Sequence, residues 1–170
     1  MSKSPICRPS IVLASLLFFL GLVLERPVLA VNRVFLSTSL EFSEATYLIQ
    51  FTANSGGDVD KIHLTFPPGM LDDQVSLRSL VVGDRSVKPS IVSIDPANAD
   101  AFVIDVPKTV AVKAGSPIQV ELLGLKNPTA GTHQVEIDLL GTRGAVLEII
   151  SPIVLSITSA GIEANAIADD

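Results

Sequence analysis

Residues 110–140 read VAVKAGSPIQVELLGLKNPTAGTHQVEIDLL, and this stretch decides the fold. Apolar and polar side chains alternate in residues 117–123 and again in residues 135–139. Because side chains on a strand point to opposite faces in turn, each segment is predicted to be a strand with one buried and one wet face. Residues 124–131 between them contain Gly, Asn and Pro, which favour a turn. The two strands either pair directly or cross between two sheets.

The remaining residues up to position 158 repeat this pattern. Further strands are predicted at residues 33–37, 47–52, 61–66, 77–82, 87–94, 101–106, 145–150 and 153–158. Turn signals separate them at intervals of about 8 to 12 residues, which is typical of an all-β sandwich or barrel. No segment of helical length shows helical periodicity, although one short helical turn could form at residues 69–74. We therefore expect an immunoglobulin-like β-sandwich of about seven to nine antiparallel strands.

Residues 1–30 are predicted to be a secretory signal peptide. Lys3 and Arg8 charge its start, and residues 11–24 are apolar apart from one Ser and one Gly. A small residue, Ala30, then marks the predicted cleavage point. The apolar run is shorter than the roughly 20 residues that a membrane-spanning helix needs. An uncleaved N-terminal anchor is the alternative.

Residues 31–158 are assigned to the sandwich domain and residues 159–170 to a flexible C-terminal tail. No cysteine lies beyond the leader, which excludes a disulfide scaffold, a thiol nucleophile and a cysteine-ligated metal there. Nine of the twelve basic and seventeen of the eighteen acidic side chains remain, a net charge of about −8. Such a chain repels phosphate backbones, so nucleic acid is not expected as a partner.

Asp58, Asp60, Asp72 and Asp73 are the candidate metal ligands. They lie in loops that flank the strand predicted at residues 61–66, and calcium takes several oxygen ligands. The sequence around Asp58 lacks the regular oxygen spacing of a calcium loop, so solvated turns are the competing interpretation.

His63 and His133 are the two histidines of the chain. A metal site usually needs clustered ligands, and no ligand motif surrounds either residue, so both are interpreted as surface or edge histidines. The chain contains no Gly-x-Ser-x-Gly motif of the kind that carries the nucleophile of many serine hydrolases. The chain has no Trp and one Tyr, which argues against an aromatic sugar-binding platform. No cofactor and no catalytic residue are expected.

Asn127-Pro128-Thr129-Ala130-Gly131 is the most distinctive local string. Its residue types are those of a rigid turn, which would set the register of the two flanking strands. A ligand-contacting loop is the functional alternative, because loops often carry binding residues.

Lys113-Ala114-Gly115-Ser116 and the following strand, turn and strand resemble the last strands of immunoglobulin-like modules in bacterial secreted and surface-layer proteins. Residues 64–69, LTFPPG, and 80–84, LVVGD, resemble their earlier strand-and-hairpin elements. The chain is also similar to a family of uncharacterised secreted cyanobacterial proteins with an Asn-Pro-x-x-Gly motif. Those proteins usually have an aromatic residue where this chain has Thr132-His133. The resemblance implies an immunoglobulin-like fold and an exported location, and it carries over no site residues.

We therefore predict an exported, non-enzymatic protein with a structural, adhesive or accessory role at the bacterial cell envelope. An envelope or surface protein is its expected partner, and an edge strand of the sandwich could bind a segment of it. A calcium- or small-ligand-binding secreted module is the alternative, and a hydrolase is the least supported one.

Overall fold

The computed structural model describes residues 32–108 and 110–160. The predicted leader and most of the predicted tail lie outside these residues. Within them, no helix is both long and apolar enough to cross a membrane.

Ten strands and one short 3-10 turn make up the described chain. They are β1 (Arg33–Leu36), β2 (Glu44–Ala53), β3 (Lys61–Thr65), β4 (Ser76–Val82), β5 (Arg85–Val87), β6 (Val92–Asp95), β7 (Asn98–Asp105), β8 (Ser116–Lys126), β9 (Gly131–Leu140), the 3-10 turn (Thr142–Gly144) and β10 (Val146–Ile157). Two five-stranded antiparallel sheets result, in the orders β1-β2-β8-β4-β5 and β10-β9-β3-β7-β6. The prediction of an all-β fold built from antiparallel strands is confirmed.

The core lies between the two sheets. Alternating side chains of the central strands fill it, and they include Tyr47, Ile49 and Phe51 of β2, Ile118, Val120 and Leu122 of β8, Ile62 and Leu64 of β3, and Val135, Ile137 and Leu139 of β9. These are the apolar faces that the alternation predicts. Each such side chain contributes about 1.5–3 kcal/mol when it is fully buried, so the alternation accounts for most of the driving force.

The strands β8 and β9 do not pair with each other. β8 lies between β2 and β4 in the first sheet, whereas β9 lies between β3 and β10 in the second. The 127–131 turn therefore carries the chain from one sheet to the other. Of the two possibilities that the sequence left open, the crossing is the one observed, and it places this turn at one end of the sandwich.

Three local predictions differ from the structure. The strand predicted at residues 87–94 is divided into β5 and β6, because Lys88-Pro89-Ser90 interrupts it and Pro cannot donate to a ladder. Residues 145–158, predicted as two strands, form the single strand β10, with a register shift between Ile150 and Ile153 that absorbs Ser151-Pro152. The helical turn considered at residues 69–74 is replaced by non-helical turns.

Candidate functional site

Asn127 begins the 127–131 turn and is buried, with 1% of its surface exposed. The Tyr47 hydroxyl donates to its side-chain oxygen at 2.6 Å. Its side-chain nitrogen donates to the carbonyl oxygens of Thr38 and Leu40 at 3.0 and 2.7 Å. Burial raises the pKa of Tyr47, so its hydroxyl remains a donor. Asn127 thus ties residues 38–40 to the end of β8 from inside the protein.

The backbone around Phe42 is tied to the same residue. The Phe42 N–H donates to the Asn127 carbonyl at 3.1 Å, and the Asn127 N–H donates to the Ser43 carbonyl at 2.9 Å. Phe42 has a φ of 57° and 60% of its surface is exposed. A left-handed conformation costs a non-glycine residue about 1–2 kcal/mol, so these bonds hold an exposed aromatic ring in a strained position.

The Glu41 carboxylate joins three segments at the same end of the sandwich. One oxygen accepts from the Ala130 N–H at 3.0 Å, inside the 127–131 turn. The other accepts from the Ser159 hydroxyl at 2.9 Å and the Ala160 N–H at 3.3 Å. These donors, Ala130 first, hold the pKa of Glu41 below its usual value. Residues 159 and 160 were assigned to the flexible tail, and here they are hydrogen-bonded to the domain.

The pocket beside this turn, called the Phe42 pocket below, has a volume of about 350 Å³. Its lining includes Phe42, Pro67, Pro68, Lys126, Pro128 and His133. The His133 ring Nε2 donates to the Thr129 carbonyl at 2.8 Å, so the ring is fixed against the turn. Rigid apolar walls and one ammonium group suit a ligand that carries both aliphatic carbon and negative charge.

The four candidate acids fall into two separate places. Asp58 and Asp60 precede β3 and line a second pocket of about 170 Å³ together with Lys108. Asp72 and Asp73 follow the other end of β3, where the Asp72 carboxylate accepts from the Gln74 N–H at 2.8 Å. Because five strand residues span about 16 Å, the two pairs cannot share one ion.

No group of three or more His, Cys, Asp or Glu side chains is arranged to hold a metal within the described ranges. The Lys108 ammonium beside Asp58 and Asp60 would also compete with a cation there. Calcium binding at these loops stays a prediction.

His63 lies between two carboxylates on the outer face of the second sheet. Its Nε2 is 3.2 Å from Asp95 Oδ2, and its Nδ1 is 3.9 Å from Asp138 Oδ2. The Ala97 N–H, followed by His63 and Lys61, lowers the pKa of Asp95, which favours the ionised form. Since the two ring nitrogens point away from each other, these three side chains cannot all bind one metal ion.

The two histidines do not converge. His63 pairs across the sheet with Asp138, whereas His133 lies five residues away along β9 and faces the Phe42 pocket. The alternation placed His63 and Asp138 on the wet face, but it could not predict that Asp95 of β6 would join them, since β6 reaches this face only through the β6–β7 hairpin.

Exposed apolar side chains are concentrated on β10. Four of the eight large exposed apolar residues in the described chain lie on it: Val146, Leu147, Ile149 and Val154. β10 is a sheet edge of twelve residues, whereas the other three edges, β1, β5 and β6, have three or four. The β10 edge, meaning residues 146–154, is thus the longest unpaired strand surface of the sandwich.

Glu148 fixes the N-terminal end of the β10 edge. Its carboxylate accepts from the Asn54 N–H and side-chain amide at 2.9 and 2.8 Å and from the Ser55 N–H at 2.8 Å. The other end is covered, because the Thr158 N–H donates to the Ser39 carbonyl at 2.8 Å. The exposed apolar residues therefore lie on a strand that is anchored at both ends.

No protein-family model matches the chain, and no curated protein matches it in sequence. Several solved structures are similar in fold. The crystal structure of BslA, a bacterial hydrophobin, is similar at a TM-score of 0.48 with 9% identity, over 76% of this chain and 99% of that chain.

Domains D2 and D3 of the major pilin SpaD from Corynebacterium diphtheriae are similar at a TM-score of 0.45 with 14% identity, over 73% of this chain and 51% of that chain. A non-cellulosomal cohesin from the hyperthermophilic archaeon Archaeoglobus fulgidus gives a TM-score of 0.35 and 11% identity, over 76% and 93% of the two chains. At these values the likeness does not extend to function, so the function is argued from this chain's own residues.

Proposed function

We propose that this chain is an exported, non-enzymatic β-sandwich protein with a structural, adhesive or accessory role at the bacterial cell envelope. The observation that carries the proposal is the row of exposed apolar side chains on the β10 edge. An edge strand offers unpaired N–H and C=O groups to a partner, and exposed apolar side chains add burial energy when the partner docks. This is the β-augmentation mode of protein recognition.

The strand order supports the finer assignment to an immunoglobulin-like fold. An immunoglobulin constant domain has sheets A-B-E-D and G-F-C. Here β1-β2-β8-β4 and β10-β9-β3 have the same spatial orders, and these seven strands also follow one another along the chain as strands A to G do. The strands β5, β6 and β7 form an insertion between β4 and β8. Such sandwiches serve many binding functions, so this assignment is compatible with the proposal without determining the partner.

Export is supported by the sequence of residues 1–30, with two basic residues, an apolar run and a small residue at the predicted cleavage point. The absence of cysteine from residues 31–170 is compatible with an oxidising compartment, because no thiol is present to pair wrongly. A non-enzymatic role is supported by the separation of the two histidines, because His63 contacts Asp95 and Asp138 whereas His133 is hydrogen-bonded to the Thr129 carbonyl beside the 127–131 turn.

The proposal is tested by the binding of residues 31–170 to envelope fractions of the producing bacterium in a co-sedimentation assay. Ile149→Lys combined with Val154→Lys is expected to lower the bound fraction about tenfold or more, because it places two charges on the β10 edge. Ile91→Lys is the control for the effect of an added positive charge, since Ile91 is also an exposed apolar residue and lies beside the opposite edge of the same sheet. Equal binding by all three proteins, or no binding by the unchanged protein, would contradict the proposal.

A further inference from the structure

The β10 edge and the strand behind it carry carboxylates but no lysine or arginine. β9 contains Glu136 and Asp138, and β10 contains Glu148. The remaining titratable side chain of these two strands is His133, at the start of β9, where its ring is hydrogen-bonded to the Thr129 carbonyl. This part of the sheet therefore presents negative charge to a partner that docks on the edge.

The two β9 carboxylates lie on the same face as exposed apolar side chains of β10. Asp138 is directly opposite Ile149 in the β9–β10 ladder, and Gln134 is directly opposite Val154. Glu136 lies between Gln134 and Asp138 in the alternation of β9, and it is exposed. Because opposite residues of a ladder share a face, the two apolar side chains form a strip that has the two carboxylates beside it.

The other charged groups of this face do not cancel the β9 carboxylates. The outer face of the second sheet carries four carboxylates, one ammonium and one imidazole: Asp95, Asp105, Glu136, Asp138, Lys61 and His63. Lys61 is already paired with Asp105 at 3.4 Å, and His63 is a cation only when it is protonated. Arg143 and Asp60, at the end of the face, add one charge of each sign. Carboxylates are thus in excess whether or not the imidazole is protonated.

Lysine and arginine side chains fit this combination of apolar strip and carboxylates. A strand added to β10 would lie about 4.8 Å from it and about 10 Å from β9. Long basic side chains can lay their aliphatic stems along the strip and extend their charged ends toward the β9 carboxylates. Acidic side chains would be repelled there, and short polar ones would not reach β9.

We propose that the segment that docks on the β10 edge is an extended, basic stretch of another protein, with Lys or Arg at alternate positions on its outward side. This inference rests on the proposed role of the β10 edge as a docking strand. The aliphatic stems pack on Ile149 and Val154, and the charged ends pair with Glu136 and Asp138. A second copy of this chain does not supply such a segment through its own β10, which contains no Lys or Arg.

The test measures the binding of three synthetic peptides of about ten residues to 15N-labelled residues 31–170 by NMR. In these peptides valine alternates with lysine, with serine or with glutamate. The Val-Lys peptide is expected to bind about fivefold or more tightly than the Val-Ser peptide, and the Val-Glu peptide more weakly than both. The amides of Ile149 and Val154 should shift most. Raising the NaCl concentration from about 0.05 M to about 0.5 M should remove most of the preference for lysine.

A pair of double variants separates the β9 carboxylates from the net charge of the chain. Glu136→Gln combined with Asp138→Asn is expected to abolish the preference for lysine, because it removes both charges with little change of shape. Asp73→Asn combined with Asp84→Asn is the matched control, since it removes two exposed carboxylates in the turns before and after β4. This control should keep the preference.

Three results would overturn the proposal. Equal affinity for the Val-Lys and Val-Ser peptides, with both shifting the Ile149 and Val154 amides, would reject a basic partner and leave the β10 edge as a docking strand. An equal loss of the preference in the two double variants would assign it to the net charge of the chain. No shift of the two amides with any peptide at millimolar concentration would also count against the β10 edge as a docking strand.

Discussion

Asn127 is a buried amide with all of its hydrogen-bonding groups used. It accepts from Tyr47, donates twice through its side chain to residues 38 and 40, and pairs through its backbone with residues 42 and 43. A buried polar group contributes little net stability while its bonds are made, but its removal leaves several partners unsatisfied. The stability of the domain is therefore expected to depend strongly on Asn127, a single residue of a turn.

Asn127→Ala is expected to lower the free energy of unfolding by about 2–4 kcal/mol, because the Tyr47 hydroxyl and two carbonyls lose their partner. Tyr47→Phe removes one donor and is expected to cost about 1 kcal/mol. Urea unfolding measures both, with Gln134→Ala as the control, since Gln134 is an exposed amide on β9. If Asn127→Ala is no more destabilising than Gln134→Ala, Asn127 does not have this role.

Glu41 gives the domain a predictable pH dependence. Its pKa is lowered in the folded state by its three donors, so its contribution to stability is complete above the ordinary glutamate value of 4.5. The contribution is lost as the pH falls from that value through the lower pKa of the folded state. The stability difference between the natural protein and Glu41→Gln should therefore be largest near neutral pH and should fade in acid. Urea unfolding from pH 3 to pH 7 measures it, and a difference that is independent of pH would contradict the assignment.

The contribution of single residues could be predicted from the sequence only in part. The burial of Tyr47 followed from the alternation of β2, and a buried hydroxyl needs a partner. That partner could have been sought among the polar residues, but Asn127 was explained equally well as a turn residue. Phe42 was not singled out, because it lies in a polar segment and its left-handed backbone depends on contacts with the distant 127–131 turn.

The strands themselves were predictable wherever one face is buried and the other is wet. Period-two alternation is a local signal, and β2, β3, β7, β8 and β9 all show it. The predicted strand bounds were wrong at two prolines, Pro89 and Pro152. Pro89 separates β5 from β6, whereas Pro152 is absorbed in the register shift of β10, because an edge strand has a free side where the missing N–H costs nothing.

Pro152 also protects the β10 edge. A proline and a bulge on an edge strand both oppose uncontrolled pairing with other chains. Pro152→Thr is expected to increase self-association, because it restores a donor at the edge next to exposed apolar residues. Sedimentation velocity over a concentration series measures this, with Pro96→Thr as the control at an exposed turn. An unchanged monomer fraction in Pro152→Thr would show that the bulge alone protects the edge.

Glu148 connects β10 to the β2–β3 loop through three hydrogen bonds. Glu148→Ala is expected to raise the hydrogen-exchange rates of the Asn54 and Ser55 amides by at least tenfold, since both N–H groups lose their acceptor. The exchange of core amides in β8 should change far less, because the loop opens locally. Unchanged exchange at both loop amides would contradict this role for Glu148.

At the scale of the whole molecule, the two sheets bury their apolar faces against each other, and four of the eight strand pairings join strands that are not consecutive in the sequence. Local patterns identify which residues face inward, but they do not determine whether β8 pairs with β9 or with β2 and β4. That choice depends on the packing of both sheets together. The separation of the four loop aspartates into two pairs, in contrast, already follows from the strand that was predicted between them at residues 61–66.

The central proposal for the whole molecule is that the chain is an exported β-sandwich that acts through its surface and not through an active site. The most direct measurement is the expression of the complete chain in a bacterium, followed by cell fractionation and the intact mass of the purified product. The expected product begins at Val31 and is recovered in the envelope or secreted fraction, because residues 1–30 are predicted to be a cleavable leader. A full-length, unprocessed protein confined to the cytoplasm would contradict it.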